Sequence, residues 1–195
     1  MQPDDLRAWR KTERAQLIEA RMALPLDDHK AYSAVISGHL AERFPPESLP
    51  LLGCYWPFRR EFDCIPLMRQ VIEAGGEVAL PVVLQRGHPL EFRRWTPETR
   101  MEAGVWNILH PAEGEPVFPG VLLIPVVGFD EAGFRLGYGA GFYDRTIAVM
   151  PEAPLTIGVG FELSRMDTIY PEPHDMPMDY IITEAGLTHT TAARH

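Results

Sequence analysis

VLLIPVVGFDEAGFRLGYGAGFYDRTIAVM, residues 121–150, sets an apolar run, a glycine-rich segment and a helical segment end to end. Val121 to Val127 is the most apolar stretch of the chain, and an unbroken run of that length reads as a strand buried on both faces. Gly141 to Met150 reads as a helix. Between them Gly137, Gly139 and Gly141 fall on alternate positions, where the missing Cβ lets peptide N–H groups approach a ligand. Those N–H groups lie beside the positive end of a helix dipole, so the loop suits an anion. Arg135 and Arg145 flank it and offer charge-assisted hydrogen bonds to phosphate oxygens. The segment fits neither GxxxxGK[ST] nor GxGxxG, which excludes the P-loop and the dinucleotide fingerprint. A tight strand-to-helix turn without a ligand explains the glycine spacing equally well. The arginines favour phosphate.

Outward from this unit, strand and helix alternate. Toward the N-terminus, Leu49 to Trp56 reads as a buried strand and Asp63 to Ala74 as a helix closed by Gly75-Gly76. Glu77 to Leu84 reads as the next strand, with a hairpin partner around Leu90, Phe92 and Arg94. Leu155 to Phe161 and Tyr180 to Thr183 complete the strands. Ahead of them, residues 4 to 23 form one helix opened by Pro3, and a second runs from Asp27 or Asp28 to Pro45-Pro46. In the first helix Leu6, Trp9, Leu17 and Met22 are the expected core face. Arg7, Arg10, Lys11, Arg14 and Arg21 are the expected solvated face. The alternation implies an α/β fold, a single domain over residues 1–195 whose largely parallel sheet carries helices on both faces. The core spans about residues 4–185, and residues 186–195 are expected to form a mobile tail.

With 27 acidic residues against 18 Lys plus Arg, the formal charge is −9, which argues against nucleic acid as a partner. Hydrophobic residues make up 46% and charged residues 23%, enough apolar surface for a buried core. Cys54 and Cys64 show neither disulfide-scaffold density nor zinc-ligand spacing. No run is long enough for a membrane span, and the first residues lack the apolar core of a signal peptide. These features lead to the expectation of a cytoplasmic protein without a membrane partner.

Three further segments carry chemistry. Asp144 opens the helix after the glycines, where a carboxylate serves the dipole or, beside bound polyphosphate, ligates Mg²⁺. PEPHDMPMD, 171–179, supplies Asp175 or Asp179, each equally suited to a turn. CYWPFRREFD, 54–63, puts aromatics and Glu61 at the carboxyl end of a strand, where open α/β sheets bind ligands; Tyr55 and Trp56 as plain core and Glu61 as a solvated loop carboxylate are the alternative reading. GVWNILHP, 104–111, offers Trp106 as a stacking surface and Asn107 as a hydrogen-bonding group, or a packing tryptophan in a loop. GxSxG and HExxH are absent. Cys54, on a buried strand, reads as inert core.

RLGYGAGFYDR, 135–145, resembles the RLGxGxGYYD signature of the 5-formyltetrahydrofolate cyclo-ligase family, also called methenyltetrahydrofolate synthetase. The Arg10 and Arg14 pair, Glu61 after an aromatic strand end, Trp-Asn-Ile at 106–108, VGFDEAG, and PEPHD before IITE follow in the family's order. The resemblance runs over roughly residues 6–184. It implies a three-layer α/β/α sandwich similar to the sugar-phosphate isomerase and coenzyme A transferase fold. It also implies conversion of 5-formyltetrahydrofolate to 5,10-methenyltetrahydrofolate with MgATP hydrolysed to ADP and phosphate. ATP would phosphorylate the formyl oxygen, and folate N10 would attack the activated carbon.

The resemblance further implies that the nucleotide meets Arg10, Lys11 and Arg14 together with Arg135, Leu136, Gly137, Tyr138, Gly139, Ala140, Gly141, Phe142 and Tyr143. Arg135 and Tyr143 would be catalytic. Folate would meet Arg14, Trp56, Glu61, Trp106 and Tyr143, and Asp144 and Asp175 would hold Mg²⁺. Arg10 stands where lysine is common, Ala140 where Gly or Lys is frequent, Phe142 where tyrosine is frequent, and Ser164-Arg165 where many members carry glutamine. Other readings are a sugar-phosphate or acyl-coenzyme A enzyme on the same sheet, and a non-catalytic folate or nucleotide carrier. Monomer and homodimer are equally compatible with the sequence.

Overall fold

A computed structural model describes residues 2–190. Among them the elements follow in the order α1 (Pro3–Ala23), α2 (Leu26–Arg43), β1 (Leu51–Gly53), α3 (Ile65–Glu73), β2 (Glu77–Val82), β3 (Glu91–Trp95), β4 (Met101–Ala103), β5 (Leu109–Pro111), β6 (Pro116–Val117), β7 (Val121–Pro125), β8 (Gly128–Phe129), β9 (Arg135–Leu136), α4 (Phe142–Val149), β10 (Leu155–Val159), β11 (Tyr180–Thr183) and β12 (Gly186–His189). The local causes are legible. Pro3, Asp4 and Asp5 fill the first turn of α1, where proline loses no bond and carboxylates face the dipole. Ahead of α3, Asp63 Oδ1 accepts the Ile65 N–H at 3.1 Å.

Eight strands form one sheet in the order β12-β11-β10-β7-β1-β2-β3-β6. From β11 to β2 every pairing is parallel, with Leu52 of β1 opposite Val78 on one side and Val121 on the other. Outside that block, β12 at one edge and β3 and β6 at the other side pair antiparallel with their neighbours. Alternation along β7 sorts the core: Leu123 joins Ile36 and Leu40 of α2 and Met68 and Val71 of α3 on one face. Leu122 and Ile124 join Ile147 of α4 on the other. The result is the expected α/β sandwich. The chain passes from β1 to β2 on one side and returns to β7 on the other, so a crevice opens at the carboxyl ends of β1 and β7.

Two expectations about the chain's course need correction. The first strand is short, Leu51–Gly53 rather than Leu49 to Trp56. Beyond the Cys54 N–H, which donates to Ala79 O at 2.8 Å, residues 54–64 leave the sheet as a loop. Residues 186–189 are not a tail but strand β12. Gly186 at φ +137° permits the reversal after β11, and the Thr183 hydroxyl accepts the Ala185 N–H at 3.2 Å. The rest of the expected tail, residues 191–195, lies outside the described residues. No helix among the described residues is long and apolar enough to cross a membrane.

Candidate functional site

The first helix departs from the expected amphipathic reading at three positions, while Leu6, Trp9 and Leu17 are half-buried and Arg7 and Lys11 exposed as expected. Arg10 and Arg21 are its buried residues, while Met22 is exposed. Buried guanidinium groups need acceptors, and the carboxyl edge of the sheet supplies them. Arg21 donates to Arg59 O at 3.0 Å and to Val126 O, just past β7, at 3.3 Å. Arg14 Nε donates to Gly137 O at 2.7 Å. Arg10 donates to Ile169 O, Tyr170 O, Glu172 Oε2 and Asp175 Oδ2, using four of the five N–H donors of a guanidinium. Helix α1 is thus tied by cations to the loops after β1, β7 and β10. Burial and the neighbouring Arg10 charge depress the Arg14 pKa.

Over those loops lies a cleft of about 650 Å³, within the range of small-molecule sites. Tyr55 and Trp56 enter it from β1, Pro81 and Val83 from the end of β2, and Pro125 from β7. Residues 135–145 line it throughout, with Arg10, Arg14, Glu61, Trp106 and Asp175. Every expected nucleotide, folate and metal residue therefore lies along one cleft except Lys11. That residue is exposed on α1 and outside the lining, because the helix turns Arg10 and Arg14 toward the cleft and Lys11 away from it. Ser164 and Arg165 also lie outside the lining; Arg165 pairs with Glu162 and covers the Phe129 ring.

Two glycines of the loop are required by geometry. Gly139 has φ +91° and a Cβ there would stand 3.1 Å from Arg14 Cζ; Gly141, at φ +61°, caps α4 with Arg145 Nη1 3.0 Å from a Cβ. Both positions demand a left-handed backbone beside a cation. Arg145 donates to Ala140 O, and its Nε is buried without a partner among the described residues. Arg135 donates to Asp144 Oδ1 and to Met176 O, each at 2.9 Å, and its Cζ lies 5.9 Å from the Tyr143 ring. Burial raises the Tyr143 pKa, so its hydroxyl stays protonated.

Also lining the cleft, Glu61 is almost wholly buried. Its Oε2 accepts the Phe58 N–H at 2.9 Å, and its Oε1 accepts the Tyr138 hydroxyl at 2.8 Å with Arg21 Nη2 3.9 Å away. Burial raises its pKa, opposed by Arg21 and the Tyr138 hydrogen bond. Trp106 is 46% exposed with φ +58°, its ring 6.1 Å from that of Tyr138. Trp56 lies farther along, edge-on to Trp95.

Asp144 and Asp175 each commit one oxygen to protein. Asp144 Oδ1 accepts from Arg135 and the Met176 N–H, and Asp175 Oδ2 from Arg10 and the Glu172 N–H. No hydrogen bond reaches Asp144 Oδ2 or Asp175 Oδ1 among the described residues. Two hard anionic oxygens beside an anion loop fit Mg²⁺, which takes one or two carboxylates and completes its shell with phosphate oxygens and water. Glu172 and His174 also lie close enough to Asp175 to share an ion, within 4.8 Å. Asp179, the alternative, accepts instead from the Thr156 N–H and hydroxyl.

Sequence reasoning missed Arg21 and Tyr138 as partners of Glu61. Arg21 carried no local signal, since its partners lie 38 or more positions away. Tyr138 was marked only as part of the glycine loop.

The fold and the cleft define an α/β protein with a cleft lined by glycines and arginines at the switch point of a parallel sheet. Residues 6–184 match the 5-formyltetrahydrofolate cyclo-ligase family, and the chain belongs to that family of ligases. It is 29% identical over 185 residues to a 5-formyltetrahydrofolate cyclo-ligase of Mycolicibacterium smegmatis, covering 87% of this chain and 91% of the relative. With the Escherichia coli K12 protein of the same name it shares 30% identity over 156 residues, 74% of this chain and 84% of that one. The NMR structure of Aquifex aeolicus 5,10-methenyltetrahydrofolate synthetase superposes with a TM-score of 0.81 at 25% identity, covering 95% of each chain.

Proposed function

We propose that the chain converts 5-formyltetrahydrofolate to 5,10-methenyltetrahydrofolate, with MgATP hydrolysed to ADP and phosphate. Family membership supports the reaction. The observation that carries its placement is one cleft joining an anion cradle to a buried carboxylate beside an exposed tryptophan. A sugar-phosphate or acyl-coenzyme A enzyme on a similar sheet gains no support from the family match.

In this reaction the formyl oxygen attacks the γ-phosphorus and the bond to ADP breaks. Folate N10 attacks the activated carbon, its proton passes to solvent, and the carbon–oxygen bond breaks as phosphate leaves with the electron pair. Phosphoryl transfer needs positioning and charge neutralisation more than covalent help, which suits a cleft of arginines and loop N–H groups. Arg14, Arg135 and the N–H groups of residues 137–143 bind the triphosphate, and Tyr143 lies beside the transferring group. Arg10, with its donors already engaged, is a positioning residue that holds Asp175. Asp144 and Asp175 hold Mg²⁺, which when bound neutralises phosphate charge. Glu61 accepts the pterin's N–H donors, Trp106 covers its ring, and Trp56 walls the cleft. A cytoplasmic location belongs to the same proposal, supported by two free thiols, Cys54 and Cys64.

The test is purified protein with 5-formyltetrahydrofolate, with and without MgATP, followed by the ultraviolet absorbance of the methenyl product. Product is expected only with both nucleotide and divalent metal. Full-rate formation in EDTA or without ATP, or none under any condition, overturns the proposal.

A further inference from the structure

Tyr138 stands between Gly137 and Gly139 in the glycine loop, yet its side chain reaches Glu61, Trp106 and Phe58. Its ring centroid lies 6.1 Å from that of Trp106 and 6.1 Å from that of Phe58. Its hydroxyl donates to Glu61 Oε1 at 2.8 Å and accepts from Arg21 Nη2 at 2.7 Å. A flat ring bearing an O–H donor is already set against the tryptophan and the carboxylate assigned to the pterin. We propose that Tyr138 is an internal occupant of the ring-binding end of the cleft, displaced when nucleotide engages the same loop, so that ATP and folate bind with positive coupling. The inference rests on the assignment of Glu61 and Trp106 to folate.

The acceptor inventory of Glu61 gives the physical reason. Its side chain is only 4% exposed, and a carboxylate taken that far from water must find donors within the protein. The Phe58 N–H holds Oε2, and the phenol holds Oε1. An incoming ring that gives its N–H donors to Oε1 and its face to Trp106 must replace the phenol, which already holds that oxygen and stands 6.1 Å from the indole. The exchange is balanced for the carboxylate, one satisfied state for another. Its cost falls on the loop that carries Tyr138.

That loop carries a glycine on each side of the tyrosine and is held by a residue expected to meet phosphate. Gly139, at φ +91°, gives the backbone after Tyr138 the conformational freedom of a residue without a Cβ. Helix α1 holds the segment ahead of Gly139 at two points, Arg14 through Gly137 O and Arg21 through the Tyr138 hydroxyl. Phosphate that draws Arg14 and the loop N–H groups therefore acts on the segment that carries the phenol. While the phenol occupies the site, folate affinity is lowered by the fraction of molecules in the open state. A nucleotide that favours that state must tighten folate by the same factor by which folate tightens nucleotide.

The test is calorimetric titration with 5-formyltetrahydrofolate, with and without a non-hydrolysable ATP analogue plus Mg²⁺. Wild-type folate affinity is expected to rise roughly tenfold with the analogue, the scale of one charged hydrogen bond. Tyr138→Phe is expected to bind folate roughly tenfold more tightly than wild type without nucleotide and to gain less than threefold from it. Tyr138→Leu, which removes the ring as well, is expected to follow the same pattern, with its melting temperature confirming a folded chain. Weaker nucleotide-free binding in both variants would show that the hydroxyl supports Glu61 in the complex and would overturn the inference. Equal coupling in wild type and variants overturns it too, while leaving the folate assignment intact. A wild-type chain that binds the analogue but no folate sinks the assignment and this inference together.

Discussion

Arg10 Nη2 and Asp175 Oδ2 meet at 2.7 Å across 165 positions of sequence. The same guanidinium satisfies the Ile169 and Tyr170 carbonyls, so one side chain of α1 fixes the approach to β11. The pair is only 10% and 12% exposed. Arg10→Met should therefore destabilise the fold by about 2–4 kcal/mol, since removing one partner leaves a largely buried carboxylate uncompensated. It should also raise the Mg²⁺ concentration needed for turnover. Urea unfolding and a Mg²⁺ titration of activity measure the two effects. An unchanged midpoint would mean the loop is held elsewhere.

Asp144 carries more structure than its place on a helix suggests. A first-turn carboxylate contributes ~0.3–1 kcal/mol through the dipole, but here it also balances Arg135, whose side chain is 4% exposed. A double-mutant cycle with Arg135→Met and Asp144→Asn should give a coupling free energy of about 1–3 kcal/mol in unfolding. Each single variant should also lose most activity. Additive stabilities would confine Asp144 to the dipole and to metal binding.

Glu61 gives a pH signature. Burial raises its pKa above the ordinary 4.5, so within that interval the folded chain keeps a proton that the unfolded chain has released. Stability from this group therefore falls as pH rises from the ordinary pKa and levels off above the raised one. Glu61→Gln cannot titrate. Its stability relative to wild type should climb across the same interval and then plateau, as read by unfolding at a series of pH values. Folate binding to the variant should weaken by about 2–4 kcal/mol, with a buried amide donor facing a donor, and ATP binding should hardly change. A flat stability difference would show that Glu61 is not desolvated.

The sheet and the glycine loop could be read from the sequence because their signals are local: apolar runs, glycine pairs and prolines mark β2, β7, β10, β11, α3 and α4 to within a few residues. The span of helix α1 was equally legible, but its buried arginines were not, because periodicity scores arginine as a solvent residue and the carbonyls that bury Arg10 and Arg21 lie 38 to 160 positions away. The hairpin of β4 and β5 was equally hidden, with strands of three residues carrying too few alternations to register. Glu61 and Trp106 were singled out as chemistry. The phenol that joins them carries only a nucleotide assignment in the sequence, because a tyrosine inside a glycine loop gives no sign of where its side chain reaches.

Trp106 separates backbone strain from ligand contact. It adopts φ +58° and ψ +23°, followed by Asn107 at φ +59°, a left-handed conformation that costs a residue with a Cβ on the order of 1–2 kcal/mol. Its indole is 46% exposed, so the protein gains little packing in return. Such a position is maintained where function requires it. Trp106→Gly should therefore be as stable as wild type, or up to about 1 kcal/mol more stable, because release of strain offsets the lost contact with Tyr138. Trp106→Ala keeps the strain, loses the ring, and should be about 1 kcal/mol less stable than the glycine variant. Folate affinity should fall by about 1–3 kcal/mol in both, through lost stacking and apolar burial. Trp106→Phe should recover part of it. Thermal unfolding and folate titration of the three variants check the pattern. If glycine and alanine differ in folate affinity as much as in stability, the ring is not the contact and the loop backbone is.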